Sequence, residues 1–552
     1  MTAASPRATR PLTVEPAPPT GSGAVDEAIV IWRALAALGV RDVLVSPGSR
    51  SAPFVYGLAD AEVARALTAH VRIDERAAAF TALGISRVDP AHPAVIVTTS
   101  GTAVAHLHAA VLEAHHSGVP LIALTADRPV ELRGTGANQT TDQVGIFGSA
   151  VRFQADLPAP SAGTAQPHEL RAAANVVARA VAAATGEDPG PVHLNVSFRD
   201  PLTPVGTDDT PERAPIVLTR RAAPALPDPV SIAATGRTVV VAGDGAGAHV
   251  ADLAAAHSLP LLAEPSSNAR RGPALVARHV SLLRAVMADP DHPLRPDRAI
   301  VLGRPTLSRP VVSGLLGADD VEVVVVDPTL RWADAVRRAS LVVPAVDITA
   351  DPDATGAQAA FLAAWHDAAS IRPLAALDWQ VRAALAVWDA SDEDDLLVLG
   401  SSSLVRDLEE HAGPARARVL ANRGLAGIDG LLGTATGAAL RWRTGRVRAL
   451  VGDLTALHDL TSLVVGPEES ASALDIVVVD DDGGRIFSGL EHAAAPPALL
   501  RRFFTTPHGT DIAAAASALG VEAATCTADE LPALLDTPAE ARRVIVVRDD
   551  RS

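Results

Sequence analysis

The chain has 552 residues, 48% of them apolar and 20% charged, with a net charge of −17. That length exceeds one core and suggests roughly three or four domains, while the acidic balance argues against bulk nucleic-acid binding and against an anionic membrane surface. All basic residues are arginine, which excludes lysine Schiff-base chemistry, and aromatics are only 3%, so the cores must be built from Ala, Val and Leu. The lone Cys526 allows no internal disulfide and fits a reducing cytosol. No apolar run reaches the ~18–20 residues of a membrane span.

Residues 1–23 are rich in Pro, Thr and Ala and lack an apolar signal core, so they read as a disordered tail. Helical spacing over 24–38 leads into a buried strand at 42–45, broken by Ser46-Pro47-Gly48-Ser49-Arg50. A short extended segment near 71–74 precedes a helix over 77–85. Strands at 94–98 and 121–125 flank a helix over 102–115, and a strand near 190–196 closes a first unit of residues 24–200. Residues 201–230 are dense in Pro, Thr and Asp and read as a linker. A central unit, 231–371, carries strands at 238–242, 259–262, 299–302, 321–326 and 341–343, then a helical connection over 355–371. A third unit, 372–552, carries strands at 396–399, 418–421, 449–451, 476–479 and 543–547. The alternation predicts an α/β fold class, with three successive α/β domains built on mainly parallel sheets. Their similar size and architecture suggest triplication of one fold type.

The stretch 452–487 is the most informative. Asp453 and Asp481 lie 28 residues apart, about one βαβ crossover, each just after an apolar strand. Ligands bind at the carboxyl ends of neighbouring parallel strands, and hard carboxylate oxygens there suit Mg²⁺. A helix starting at Asp453 would favour an anion at the same point. The expectation is a divalent cation holding a diphosphate; the alternative for each aspartate is a helix cap or a solvated strand-end charge. The run Asp480-Asp481-Asp482 fits that alternative poorly, since adjacent like charges repel unless a cation or solvent intervenes. Gly243-Asp244-Gly245-Ala246-Gly247 also follows a strand, but a lone Gly-rich turn is weak as a nucleotide signal, and it reads as close helix–strand packing. His106, His108, His115 and His116 lack zinc spacing and read as surface or packed histidines. Arg270, Arg271 and Arg304 read as surface charge, with an anion pocket as the alternative.

Gly452-Asp453, a crossover and a polar strand end before Gly483-Gly484 resemble the metal–diphosphate motif of thiamine-diphosphate enzymes. The segment Arg72-Ile73-Asp74-Glu75-Arg76 resembles the one that carries their glutamate. Residues 46–53, 99–105, 126–129 with 136–140, and 422–424 with 427–430 are similar to one family within them, the 2-succinyl-5-enolpyruvyl-6-hydroxy-3-cyclohexene-1-carboxylate synthases of menaquinone biosynthesis. The match runs from about residue 24 onward.

The resemblance implies pyrimidine-binding, central and diphosphate-binding domains in that order. It implies thiamine diphosphate with Mg²⁺ or Mn²⁺, decarboxylation of 2-oxoglutarate and conjugate addition of the succinyl unit to isochorismate. It also implies a cytoplasmic homodimer or homotetramer with active sites between subunits. Glu75 would bond the cofactor's pyrimidine ring and Ile428 would support its bent form. Ser402, Leu454, Thr455, Gly484 and Ile486 would line the cofactor, and Asp453, Asp481 and the Gly483 carbonyl would bind the metal. Two dicarboxylate substrates call for arginine forks, and the matching positions are Arg50, Arg128, Arg309, Arg406 and Arg423. Ser49, Asn138, Gln139 and Ser402 would be polar partners, with Phe487 and Leu490 as an apolar wall. The family has Asn at two or more of positions 480–482. An anionic Asp481 would strengthen the hold on the metal but repel the diphosphate. The alternatives are a 2-oxoacid decarboxylase or acetolactate-type synthase, and a silent α/β protein binding a nucleotide at 243–247.

Overall fold

Short runs of valine, leucine, isoleucine and alanine, buried from end to end, build the main strands, as expected of parallel sheets covered on both faces. The computed structural model describes residues 11–208, 212–222, 227–234, 236–349, 355–369, 376–470 and 472–549. The chain divides into two compact units, Met1–Pro224 with Val464–Ser470, and Ala225–Leu463 with Ala471–Ser552.

In the first unit the strands are β1 (Leu12–Val14), β2 (Asp42–Val45), β3 (Thr68–Val71), β4 (Val95–Thr98), β5 (Leu121–Asp127), β6 (Phe153–Leu157), β7 (Pro191–Ser197) and β8 (Ile216–Leu218). Six of them form a parallel sheet in the order β3-β2-β4-β5-β7-β6. The chain reverses direction across the sheet between β2 and β4, which opens a crevice at their carboxyl ends. Helices Gly23–Ala37 and Pro167–Ala184 pack together on one face. Trp32 anchors that layer: its indole N–H donates to the Phe54 carbonyl at 2.8 Å, and Phe54 stacks edge-on against Phe198.

In the second unit, β9 (Val230–Ala233) pairs with a later strand. The strands β10 (Thr238–Ala242), β11 (Leu261–Ala263), β12 (Arg298–Leu302), β13 (Glu322–Val326) and β14 (Ala339–Val343) form a parallel sheet in the order β11-β10-β12-β13-β14. β15 (Val346–Thr349) is the partner of β9. A further sheet holds β16 (Leu396–Leu399), β17 (Arg418–Ala421), β18 (Val447–Gly452), β19 (Leu474–Val479), β20 (Glu522–Cys526) and β21 (Arg542–Val547), in the order β17-β16-β18-β19-β21-β20. This strand order repeats that of the first unit, and the central sheet repeats it less one strand. Three mainly parallel α/β sheets therefore match the expected fold class.

The differences from the sequence reading are local. Leu12–Val14, placed in the disordered tail, pairs antiparallel with Ile216–Leu218, placed in the linker. A three-residue strand has no periodicity to read, and its partner lies some 200 residues away. From the same linker, Arg213 donates to Asp26 Oδ2 at 2.7 Å and to the Ala17 carbonyl at 2.8 Å. Residues 1–10 of the expected tail and the expected boundary at 371/372 lie outside the described residues. The helix expected over 102–115 is two helices, Thr102–Ala105 and His108–Ser117. β6 and β20 escaped notice because each carries polar or small residues and is only partly buried.

Arg270 is neither surface charge nor an anion ligand: it is fully buried, and its guanidinium donates to the carbonyls of Ala263, Glu409, Ala412 and Gly413. The glycine turn after β10 packs on another loop rather than on a helix. Asp244 and Arg304 exchange backbone hydrogen bonds at 3.0 and 3.1 Å, and a Cβ on Gly243 would lie 2.1 Å from the Arg304 carbonyl carbon. This pairing joins the loops that follow β10 and β12.

The Arg213–Asp26 pair is almost wholly buried. Arg213→Ala leaves an uncompensated carboxylate and is expected to destabilise the fold by about 3–5 kcal/mol, read as a lowered thermal midpoint. A loss below about 1 kcal/mol would contradict the assignment of that ion pair as a clamp on the N-terminal helix.

Candidate active site

β18 ends at Gly452, and Asp453 opens a helix of only 6 residues, Asp453–His458. Asp453 is 2% exposed. Its Oδ1 accepts the Leu454 N–H at 2.6 Å, and its Oδ2 accepts the Gly483 N–H at 2.6 Å with His508 Nε2 at 3.2 Å. Burial raises the Asp453 pKa and Asp480 adds to this, while those hydrogen bonds oppose it.

The neighbouring strand β19 delivers three aspartates with three different environments. Asp480 is buried and ion-paired with Arg548, with His508 at 3.7 Å. Asp482 is exposed and accepts the N–H groups of His508 and Gly509 at 3.0 and 2.9 Å, which hold its carboxyl below the ordinary range. Asp481 lies 3.6 Å from Arg485 and has a hydrogen bond from the Gln380 side chain. Burial, then the nearby Asp453 charge, pushes its carboxyl up to about 7 against the pull of Arg485. Gly483 has φ +140°, and a Cβ there would meet the Thr505 carbonyl oxygen at 2.0 Å, so the turn requires glycine. A cavity of about 460 Å³ at this end of β19 and β21 is lined by Gln380, the three aspartates, Thr510 and Arg548.

The structure thus brings Asp453, Asp481 and Gly483 together, as expected. It adds His508 and Asp480, whose ligand atoms lie with one from Asp453 inside 4.8 Å of one another, a set able to hold a cation. Neither His508 nor Arg548 was visible in the sequence, because no spacing rule links them to residues some 30 to 95 positions earlier. Leu454 and Thr455 follow Asp453 on its short helix, and Gly484 and Ile486 follow Gly483.

Also in the second unit, Ser402 caps the helix Ser403–His411, its hydroxyl accepting the Leu404 N–H at 3.2 Å. One turn on, Arg406 donates to the Ser402 carbonyl at 3.1 Å. Desolvation lowers the Arg406 pKa, and the charges of Arg423 and Arg309 lower it further. These three arginines therefore share one neighbourhood. Arg423 is 4% exposed; Arg309 is exposed and pairs with Glu491 at 3.0 Å. Ile428 is 36% exposed, not an ordinary core residue. Phe487 packs edge-on against Phe504, with Leu490 half-buried after it.

In the first unit Glu75 is the first residue of the helix Glu75–Val88, half-buried, with Asp74 as the cap. Arg128, after β5, donates to the Ser100 hydroxyl and to the Gln139 carbonyl at 3.1 Å, and Gln139 Nε2 returns a bond to the Ser100 carbonyl at 2.9 Å. Desolvation and then the charge of Arg50 lower the Arg128 pKa. Arg50 donates to the Phe198 carbonyl at 2.9 Å. Ser49 and Asn138 are exposed in the loops beside them. An anion would relieve this pair of arginines. Of the four scanned histidines, His115 meets the Ala150 carbonyl and His108 stacks on Phe147, as packed residues do.

Comparison with known proteins adds a family to this geometry. The family described as "Thiamine pyrophosphate enzyme, N-terminal TPP binding domain" matches residues 26–146. A 2-succinyl-5-enolpyruvyl-6-hydroxy-3-cyclohexene-1-carboxylate synthase from Kineococcus radiotolerans is 46% identical over 515 residues, covering 90% of each chain. Proteins of the same name from an Arthrobacter species and from Renibacterium salmoninarum are 44% and 42% identical, covering 96% and 97% of this chain and 90% and 96% of their own.

A raised carboxyl pKa destabilises the fold as pH climbs from the unfolded value towards the folded one, here from about 4 to about 7. Asp481→Asn removes that penalty. At pH 8 the metal-free variant is expected to be more stable than the parent by on the order of 2–4 kcal/mol, with the gap closing towards pH 4 in thermal melts. Equal stability at pH 8 would contradict this environment for Asp481.

Proposed function

The chain belongs to the 2-succinyl-5-enolpyruvyl-6-hydroxy-3-cyclohexene-1-carboxylate synthase family, and from that membership we propose that it decarboxylates 2-oxoglutarate and adds the succinyl unit to isochorismate, with thiamine diphosphate as cofactor. The observation that carries the reading is the carboxylate set at the ends of β18 and β19. Asp453 and Asp481 crowd each other away from water and both have raised pKa values, a conflict that a cation bridging to diphosphate resolves. The Gly483-Gly484 turn packs against the Thr505 and Phe504 carbonyls, and its Gly483 N–H holds Asp453 in place.

Thiamine diphosphate, when bound, supplies the carbanion-stabilising chemistry that decarboxylation and carbon–carbon bond formation need. The residues do the rest. Asp453, Asp481 and the Gly483 carbonyl would hold Mg²⁺ or Mn²⁺. Asp480 is the weaker candidate because Arg548 already neutralises it. Ser402, Leu454, Thr455, Gly484 and Ile486 line the cofactor, and the exposed Ile428 offers an apolar support. The Glu75 carboxyl would hydrogen-bond the cofactor's pyrimidine ring. Arg50 and Arg128, oriented by Ser100 and Gln139 and joined by Ser49 and Asn138, receive substrate carboxylates. So do Arg309, Arg406 and Arg423, beside the Phe487 and Leu490 wall. Grouped arginines on an acidic protein suit dicarboxylates better than the small monocarboxylate of an acetolactate-type enzyme. A homodimer or homotetramer in the cytoplasm is part of the same proposal. No helix among the described residues is long and apolar enough to cross a membrane.

The test is to mix the loaded protein with 2-oxoglutarate and isochorismate and follow isochorismate loss. CO₂ release without that loss would favour a simple decarboxylase. Glu75→Gln is expected to abolish turnover with Mg²⁺-dependent cofactor binding largely intact; full activity would remove Glu75 from its role. In calorimetric titrations, Asp453→Asn should weaken that binding by about 100-fold or more, and Asp481→Asn far less. Parent affinity should fall as pH drops through about 7, where Asp481 takes up a proton. Undiminished binding by Asp453→Asn would overturn the metal assignment.

A further inference from the structure

Glu264 has no part in the site just described, yet it is a buried acid directed at it. It follows β11 and is 2% exposed. Its Oε1 accepts two backbone N–H groups, from Thr306 at 2.7 Å and Leu307 at 2.8 Å, and its Oε2 is buried without a hydrogen-bond partner. Thr306 is in turn what Arg423 holds: one guanidinium nitrogen donates to the Thr306 hydroxyl at 2.8 Å and to its carbonyl at 3.3 Å. The other polar contact of Arg423, to the Ser401 hydroxyl, is a long 3.4 Å. The orientation of Arg423 therefore depends mainly on Thr306, and the placement of Thr306 on Glu264.

The charged groups around this relay fit such a role. Burial and the charge of Glu409 push the Glu264 carboxyl up to about 8, with Arg423 opposing. Glu409 itself faces His279 at 3.4 Å and the Ser308 hydroxyl at 3.3 Å, with the charges of Arg270 and Arg406 nearby. Burial and the Glu409 charge thus favour the uncharged form of Glu264. It can fix a backbone turn without drawing the Arg423 charge away from a ligand, which a carboxylate at the same place would do.

We propose that Glu264 is a positioning residue for substrate binding: by holding the Thr306–Leu307 turn, it fixes Arg423 in the orientation that grips a carboxylate of a dicarboxylate substrate. This rests on Arg423 being a substrate ligand.

The test uses the holoenzyme with saturating thiamine diphosphate and Mg²⁺. Affinities are measured by calorimetry for isochorismate and for succinate, an unreactive stand-in for 2-oxoglutarate, alongside KM and kcat. Glu264→Ala is expected to weaken one of the two by about tenfold, the scale of one charge-assisted hydrogen bond, with kcat and cofactor affinity within about twofold. Glu264→Gln keeps an oxygen that accepts both N–H groups and should restore parent affinity. Thr306→Val removes only the hydroxyl and should weaken the same ligand severalfold, which covers a Glu264→Ala that does not fold. In an Arg423→Ala background, Glu264→Ala should cost nothing more. Unchanged affinity in folded variants, or a further independent loss in that background, overturns the proposal. A parent that binds neither dicarboxylate overturns it together with the reading of Arg423. A parent that binds them but leaves isochorismate unconsumed overturns the reaction alone.

Discussion

A buried charge has to be paired, hydrogen-bonded or given up, and the end of β19 meets that requirement three times in succession. Asp480 is paired by Arg548, which stands beside it only because β21 lies next to β19 in the sheet. Asp482 turns outward and caps the backbone of the 508–509 loop. Asp481 is served least: Arg485 at 3.6 Å and the Gln380 side chain favour its charge, but burial and the Asp453 charge push its carboxyl up to about 7. Arg485, His508 and the Gly483 N–H are grouped around these carboxylates.

The two outer sheets share one strand order and use it with opposite sign. β5 and β19 are equivalent strands, and both end in a buried aspartate, Asp127 and Asp480. Asp127 accepts the Arg128 N–H at 2.7 Å and an Asn195 N–H at 2.9 Å, and pairs with Arg133 at 3.0 Å. Its charge is met mainly by Arg133, and Arg128 stands beside Arg50, itself 3.8 Å from Asp200. At β19 the acids outnumber the nearby cations. One topology thus groups arginines at one strand end and carboxylates at another, which is why function has to be argued from the strand ends and not from the fold.

The central sheet takes a third course. The Asp244–Arg304 pairing ties the loops after β10 and β12 together, and other loops serve as structure for the sheet that follows. Asn268 pairs with the backbone of Val419 on β17 at 2.9 Å in both directions, and Arg270 collects carbonyls from the end of the helix Ser403–His411. These contacts fix β17, and with it Arg423 just beyond its end. The loops of one sheet can in this way set the geometry of the next.

The sequence by itself determined the three α/β sheets, most strand positions, the family, and the pairing of Asp453 with Asp481, because each is written in local apolar runs or in motifs of fixed spacing. Only the tertiary structure decided how the three adjacent aspartates differ, since Arg548 and His508 reach them across the sheet and not along the chain. It alone ordered Leu12–Val14 against Ile216–Leu218, a pairing too short to leave a period. It also converted Arg270 from an apparent surface charge into a buried clamp, and placed Glu264 as a buried acid behind Arg423. Burial and long-range hydrogen bonding set the charge state of a side chain, and neither is encoded in its immediate neighbours.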